Sequence, residues 1–143
     1  MAGLDKIIAD ITDTILGGVN DYEIAALSSL QGLFLQRIHN DRQTTSGSSL
    51  GQYRSIQYKK KRVDAGRQVG EKDLEFLGNL RRSVKIGTSG GKNVMGFDND
   101  MSRLIASGQE GQIKEEVYTP SNSELDEMND AYFRGLDFRL KKF

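Results

Sequence analysis

The chain has 143 residues, 36% of them hydrophobic, with 20 Lys/Arg against 20 Asp/Glu and no cysteine. That length points to one domain able to bury a core without covalent staples. The missing thiols exclude disulfides and thiolate metal sites, and the neutral total excludes a global electrostatic pull toward nucleic acid or anionic membranes.

From the start of the chain, Leu4, Ile7, Ile8, Ile11 and Ile15 recur at helical spacing and predict an amphipathic helix stopped at Gly17-Gly18. Asp5, Asp10 and Asp13 within that stretch do not fit a secretory signal, and no apolar run reaches the ~18 residues of a membrane span. The expected setting is therefore the cytoplasm, away from membrane. Asn20 or Asp21 is expected to cap a second helix with the stripe Ile24, Leu27, Phe34, Leu35 and Ile38, so 1–40 reads as a helical region. Residues 41–72 open with a Gly/Ser loop and become basic, and they read as a polar loop or arm. Connections of that length inside a compact domain are usually functional or disordered.

Residues 73–143 carry the remaining elements. Leu74, Phe76, Leu77 and Leu80 predict a helical turn around Gly78. Ser83–Ile86 and Asn93–Phe97 predict a β-hairpin around the glycine-rich turn Thr88–Gly91. Asp98-Asn99-Asp100 is expected to cap a short helix through Leu104–Ala106, closed by Gly108. Alternation over Ile113–Tyr118 predicts a third strand. Ser121 and Glu124 form a capping box, in which each side chain accepts from the other residue's free N–H, ahead of Leu125, Met128, Tyr132, Leu136 and Leu140. The expected architecture is a single α+β domain over 1–143. In it a small antiparallel or mixed sheet of three to four strands is packed by N-terminal and C-terminal helices, with the polar arm between.

Three motif matches fail on context. Gly47-Ser48-Ser49-Leu50-Gly51 has the G-x-S-x-G spacing of a nucleophile elbow, but a polar run precedes it and His39 comes before the serine. Gly87 to Asn93 resembles a phosphate loop, yet it is one residue short and leads into a strand. Asp98-Asn99-Asp100 begins like a calcium loop, but Arg103 stands where glycine is required and Gln109 where the closing glutamate belongs. His39 is the only histidine, with no second ligand to share a metal, and it reads as a residue near a helix C-terminus that tolerates a partly positive ring. No catalytic, cofactor or metal site is expected.

Charge segregation is the informative pattern. Residues 54–82 carry nine Lys/Arg against four acids (+5), and residues 98–130 carry nine acids against two bases (−7). Three readings follow. The two segments can be solvated faces; the basic one can be a nucleic-acid surface; or basic and acidic faces of neighbouring copies can meet head to tail, closing a ring if the rotation allows.

The order of pieces narrows the choice. A helical region leads through a polar loop to Gly51-Gln52-Tyr53, a Lys-rich run and the phrase Asp73-Leu74-Glu75-Phe76-Leu77-Gly78-Asn79-Leu80-Arg81-Arg82-Ser83. A Gly-turn hairpin, a short helix, a strand and a Ser-x-x-Glu capped last helix follow. Over residues 30–142 this resembles the phage virion morphogenesis family, the small tail-completion proteins of tailed phages. The resemblance implies a structural virion protein without catalytic residues, cofactor or metal. It implies synthesis in the bacterial host cytoplasm and a final place at the head–tail junction. The implied partners are further copies in a ring of six or twelve, the portal/connector or head-completion protein, and the tail terminator or tail tube protein, with lumenal DNA as a further contact. Candidate subunit or connector contacts are Tyr53, Arg54, Lys59, Lys60, Lys61, Arg62, Arg67, Arg81 and Arg82. The alternatives are a nucleic-acid-binding regulatory module using segment 54–82 and, more remotely, a hydrolase using Ser49.

Overall fold

The computed structural model describes residues 19–75 and 78–140. The amphipathic run Leu4–Ile15 with its Gly17-Gly18 stop, and Phe76, Leu77, Lys141 and Lys142, lie outside the described residues, as do the side chains of Leu136, Arg139 and Leu140.

Helix α1 spans Val19–Leu35, with Asn20 and Asp21 inside its first turn rather than ahead of it. It buries Ala26, Leu30 and Phe34, one residue per turn, while Ile24 of the expected stripe stays exposed. The helix then widens into a π-helical turn, Gln36–Asn40, closed by the Asp41 N–H on the Gln36 carbonyl at 2.9 Å. A π turn advances fewer degrees per residue than an α turn. Three consecutive side chains, Arg37, Ile38 and His39, are buried along it.

Residues 41–72 are folded against the domain instead of forming a free arm. A tight loop is closed by Thr44 N–H to the Ser48 carbonyl (2.8 Å) and Leu50 N–H to the Arg42 carbonyl (3.0 Å), and it buries Thr44 and Leu50. Helix α2 follows at Ile56–Asp64, capped by the Ser55 hydroxyl accepting from Tyr58 N–H at 3.2 Å. Composition concealed this element because its inward contact is made by an arginine, not by an apolar stripe.

A four-residue helix α3, Asn79–Arg82, starts from Gly78 at φ +77° and leads into β1 (Val84–Ser89). Strand β2 (Lys92–Phe97) returns antiparallel, Val84 opposite Phe97 and Ser89 opposite Lys92. Gly90 and Gly91, at φ +58° and +77°, form the two-residue turn that such hairpins favour. Helix α4 runs Asp100–Ile113, capped by the Asn99 side chain on Ser102 N–H at 2.8 Å. Gly108 does not close it, because one glycine lowers helix stability by only ~1 kcal/mol. The helix ends instead at Lys114, in the left-handed region at φ +63°.

The class is α+β, but among the described residues the sheet has two strands, β1 and β2. The expected third strand over Ile113–Tyr118 is absent: Ile113 belongs to α4, and the rest of the segment finds its hydrogen bonds elsewhere. Val117 N–H donates to the Glu110 carboxylate (3.1 Å), Thr45 N–H to the Glu116 carbonyl (2.8 Å), and Arg37 Nη2 to the Val117 carbonyl (3.0 Å). Side chains and one backbone bond here do the work of a ladder. Helix α5, Asn122–Leu140, packs along α1. The core gathers Phe34, Ile38, Leu50, Leu74, Val84 and Val117, flanked by Met95, Phe97, Ile113 and Tyr118.

Candidate interaction surface

The nine basic-segment candidates separate into a buried pair and a surface set. Arg62 is fully buried and Tyr53 nearly so. Arg62 Nε donates to the Gln68 carbonyl (2.8 Å), Nη1 to the Glu75 carbonyl (2.8 Å) and Nη2 to both oxygens of Asp73 (3.1 and 3.2 Å). Its guanidinium lies 4.4 Å from the centre of the Tyr53 ring. The Tyr53 hydroxyl donates to Asp73 Oδ1 at 2.9 Å, and burial pushes its pKa up to about 12. Burial alone would raise the Asp73 carboxyl; donors from Gln68, the Glu75 N–H, Tyr53 and Arg62 outweigh it and hold the group below the usual carboxylate range. Arg62 and Tyr53 are thus the internal pins of residues 53–75: Arg62 is fully enclosed, while Tyr53 keeps a small exposed edge on a neighbouring groove.

Arg54, Lys60, Lys61, Arg67 and Arg82 are exposed, and Lys59 and Arg81 are half-buried. On α2 the spacing puts Ile56, Lys59, Lys60 and Val63 on one face, turned away from Arg62 and Tyr58. Ile56 is 82% exposed and Val63 59%. A basic pair set between two bare apolar residues becomes a face only once residues 56–64 are helical, and no apolar stripe in that segment announces the helix.

The acidic half of the chain presents its own faces. On α5, Asp126, Asn129, Asp130 and Phe133 share one side, and Phe133 is 62% exposed. On α4, Met101, Leu104 and Ile105 form an exposed apolar stripe. Beside it an open groove of about 1030 Å³ is lined by Tyr53, Arg54, Leu74, Leu80, Arg81 and Ile105, among others.

The motifs set aside earlier sit in plain structural roles. Gly47–Gly51 lies within the tight loop, where the Ser49 hydroxyl accepts from Gly51 N–H at 3.1 Å. His39 Nδ1 donates to the Asp73 carbonyl at 2.8 Å, and burial lowers its pKa. The ring is at a helix end as expected, but burial favours its neutral form over the partly positive one. Among the described residues no group of three or more His, Cys, Asp or Glu could hold a metal ion, and no helix is long and apolar enough to cross a membrane.

Compared with protein-family models, curated proteins and solved structures, the chain matches none. What bears on function is the chain's own exposed residues and the resemblance of its sequence phrases.

Proposed function

We propose that this chain is a structural virion protein of a tailed phage. In this reading it forms a ring at the head–tail junction that completes the tail or joins it to the connector. The observation that carries the reading is the separation of charge onto exposed helix faces, basic on α2 and acidic on α5, in a chain whose sequence phrases resemble the tail-completion family. Faces of opposite sign set register and partner choice more than raw affinity. A ring built by repeating one contact needs two such faces on each copy.

The rival reading, nucleic-acid binding through 54–82, is weakened by Arg62. The most deeply placed of the nine cations is spent on Asp73 and two carbonyls, and so contributes nothing to a phosphate-binding surface. Electron microscopy of lysates from the source phage with this gene disrupted tests the proposal. Filled heads beside unjoined tails are expected. Intact particles would overturn the virion reading, and steep salt-dependent binding to random duplex DNA would then favour the regulatory module.

A further inference from the structure

We propose that the two charged helix faces are the two halves of one self-contact: α2 of one copy docks along α5 of the next. This rests on the ring reading and gives it a surface.

The two faces match in spacing. On α2 the outward positions are Ile56, Lys59, Lys60 and Val63; on α5 they are Asp126, Asn129, Asp130 and Phe133. Both follow the i, i+3, i+4, i+7 pattern, so each stretches over two helical turns, about 10 Å at 1.5 Å per residue. Each carries charge of a single sign beside exposed apolar surface. Lys59 and Lys60 lie between Ile56 and Val63, and Asp126 and Asp130 lie beside Phe133. Laid antiparallel, Ile56 meets Phe133 and Lys59 meets Asp130; laid parallel, Val63 meets Phe133 and Lys60 meets Asp130. In either sense one apolar pair and one ion pair form, while the second lysine meets Asn129 and the second apolar residue lies beside Asp126. A helix face that pairs bare Ile and Val with lysines gains most when the lysines find carboxylates, and α5 supplies one directly opposite and a second, Asp126, on the same face.

Among the described residues, Ile56, Lys60, Val63, Asp126, Asp130 and Phe133 are exposed and Lys59 is half-buried. Helix α5 packs on α1 through another side, where a Cβ at Gly135 would come within 2.5 Å of the Tyr22 ring. Helix α2 is held to the domain by Arg62, on the side adjoining Lys59. Because the donor and acceptor faces are different surfaces of the chain, the contact can repeat head to tail, and it closes into a ring where the rotation allows.

Charge exchange tests this directly on the purified full chain. One variant carries Lys59→Glu with Lys60→Glu and so has two acidic faces. The other carries Asp126→Lys with Asp130→Lys and has two basic faces. At low ionic strength the wild-type chain is expected to sediment as an oligomer. Each variant alone should sediment as a monomer with its thermal unfolding intact, its self-affinity reduced more than about 100-fold. Their equimolar mixture should recover the oligomer, because every junction again joins opposite charges. A wild-type chain that stays monomeric, variants that still associate alone, or a mixture that fails to reassemble would each overturn the proposal. So would a monomeric wild type that binds duplex DNA through Lys59 and Lys60. The measurement uses no phage particle, so this contact can fail while gene disruption still separates heads from tails, and the virion reading can fail while the contact stands.

Discussion

At the scale of single residues, two buried arginines organise this small domain. Arg37 donates from Nε to Glu124 at 2.8 Å, and its other nitrogens reach the carbonyls of Gln43, Val117 and Thr119. Arg62 does the same for residues 66–75. Removing one member of such a pair leaves an uncompensated buried charge and costs about 3–5 kcal/mol. Glu124→Gln keeps an oxygen for the helix cap but removes the charge, so urea unfolding should show a loss of about that size. His39 gives a separate pH signature. Burial depresses its folded pKa below the ordinary 6.5, so the unfolded chain binds its proton first as pH falls. The stability it contributes is fully present above pH 6.5 and is lost as pH drops from there through the depressed value, with a slope of at most ~1.4 kcal/mol per pH unit. A second loss should follow at lower pH, below the ordinary 3.8 of Asp73, as that carboxylate protonates. His39→Gln should abolish the first phase and leave the second, read from unfolding midpoints between pH 8 and 3.

At the scale of elements, helix ends and glycines decide what holds. The Ser121–Glu124 box is formed as its spacing demands: Ser121 N–H on Glu124 Oε1 at 3.0 Å and Glu124 N–H on the Ser121 hydroxyl at 3.3 Å. Ser121→Ala should therefore cost about 1 kcal/mol, clearly less than Glu124→Gln, because only the cap is lost. Glycines in α4 and in α5 should respond in opposite directions. Gly108 and Gly111 in α4 have open space where a Cβ would go, so alanine at each should stabilise by about 0.5–1 kcal/mol. At Gly135 in α5 an added Cβ would meet the Tyr22 ring at 2.5 Å, so Gly135→Ala should force α1 and α5 apart and cost about 1–3 kcal/mol despite its better helix propensity. Combining Gly135→Ala with Tyr22→Ala should recover part of that loss; no recovery would mean that the close approach is not what alanine disturbs.

At the scale of the whole molecule, the neutral total conceals a dipolar chain, and burial refines which charges count. Reversing Lys59 and Lys60 should leave folding unchanged within ~0.5 kcal/mol, as surface substitutions usually do. In the proposed role it should block incorporation into particles, scored by complementation of the gene disruption. Adding Arg62→Glu to that set would instead break the internal pin, so a failure of that triple variant would speak to folding and not to assembly. Infectious particles made with Lys59→Glu and Lys60→Glu would show that this face makes no junction contact.

The features that were legible in the sequence are the ones written locally. The Asn99 cap, the Ser121–Glu124 box and the Gly90-Gly91 turn each depend on residues within a few positions of one another, so their physics is complete in a short window. The α+β class follows from them. Tertiary structure decided the rest. Alternation at 113–118 looked like a strand, but a strand needs a neighbour, and Arg37, Thr45 and Glu110 took its backbone groups first. Residues 53–72 looked like a free basic arm because hydropathy counts arginine as solvent-seeking. Arg62 is buried only because Asp73, Gln68 and Glu75 bring carboxylate and carbonyls to meet it, and no pattern within α2 announces partners that lie beyond the helix. Once that arginine turns inward, Ile56, Lys60 and Val63 are left facing outward, and so the fold rather than the composition settles which lysines are presented to a partner.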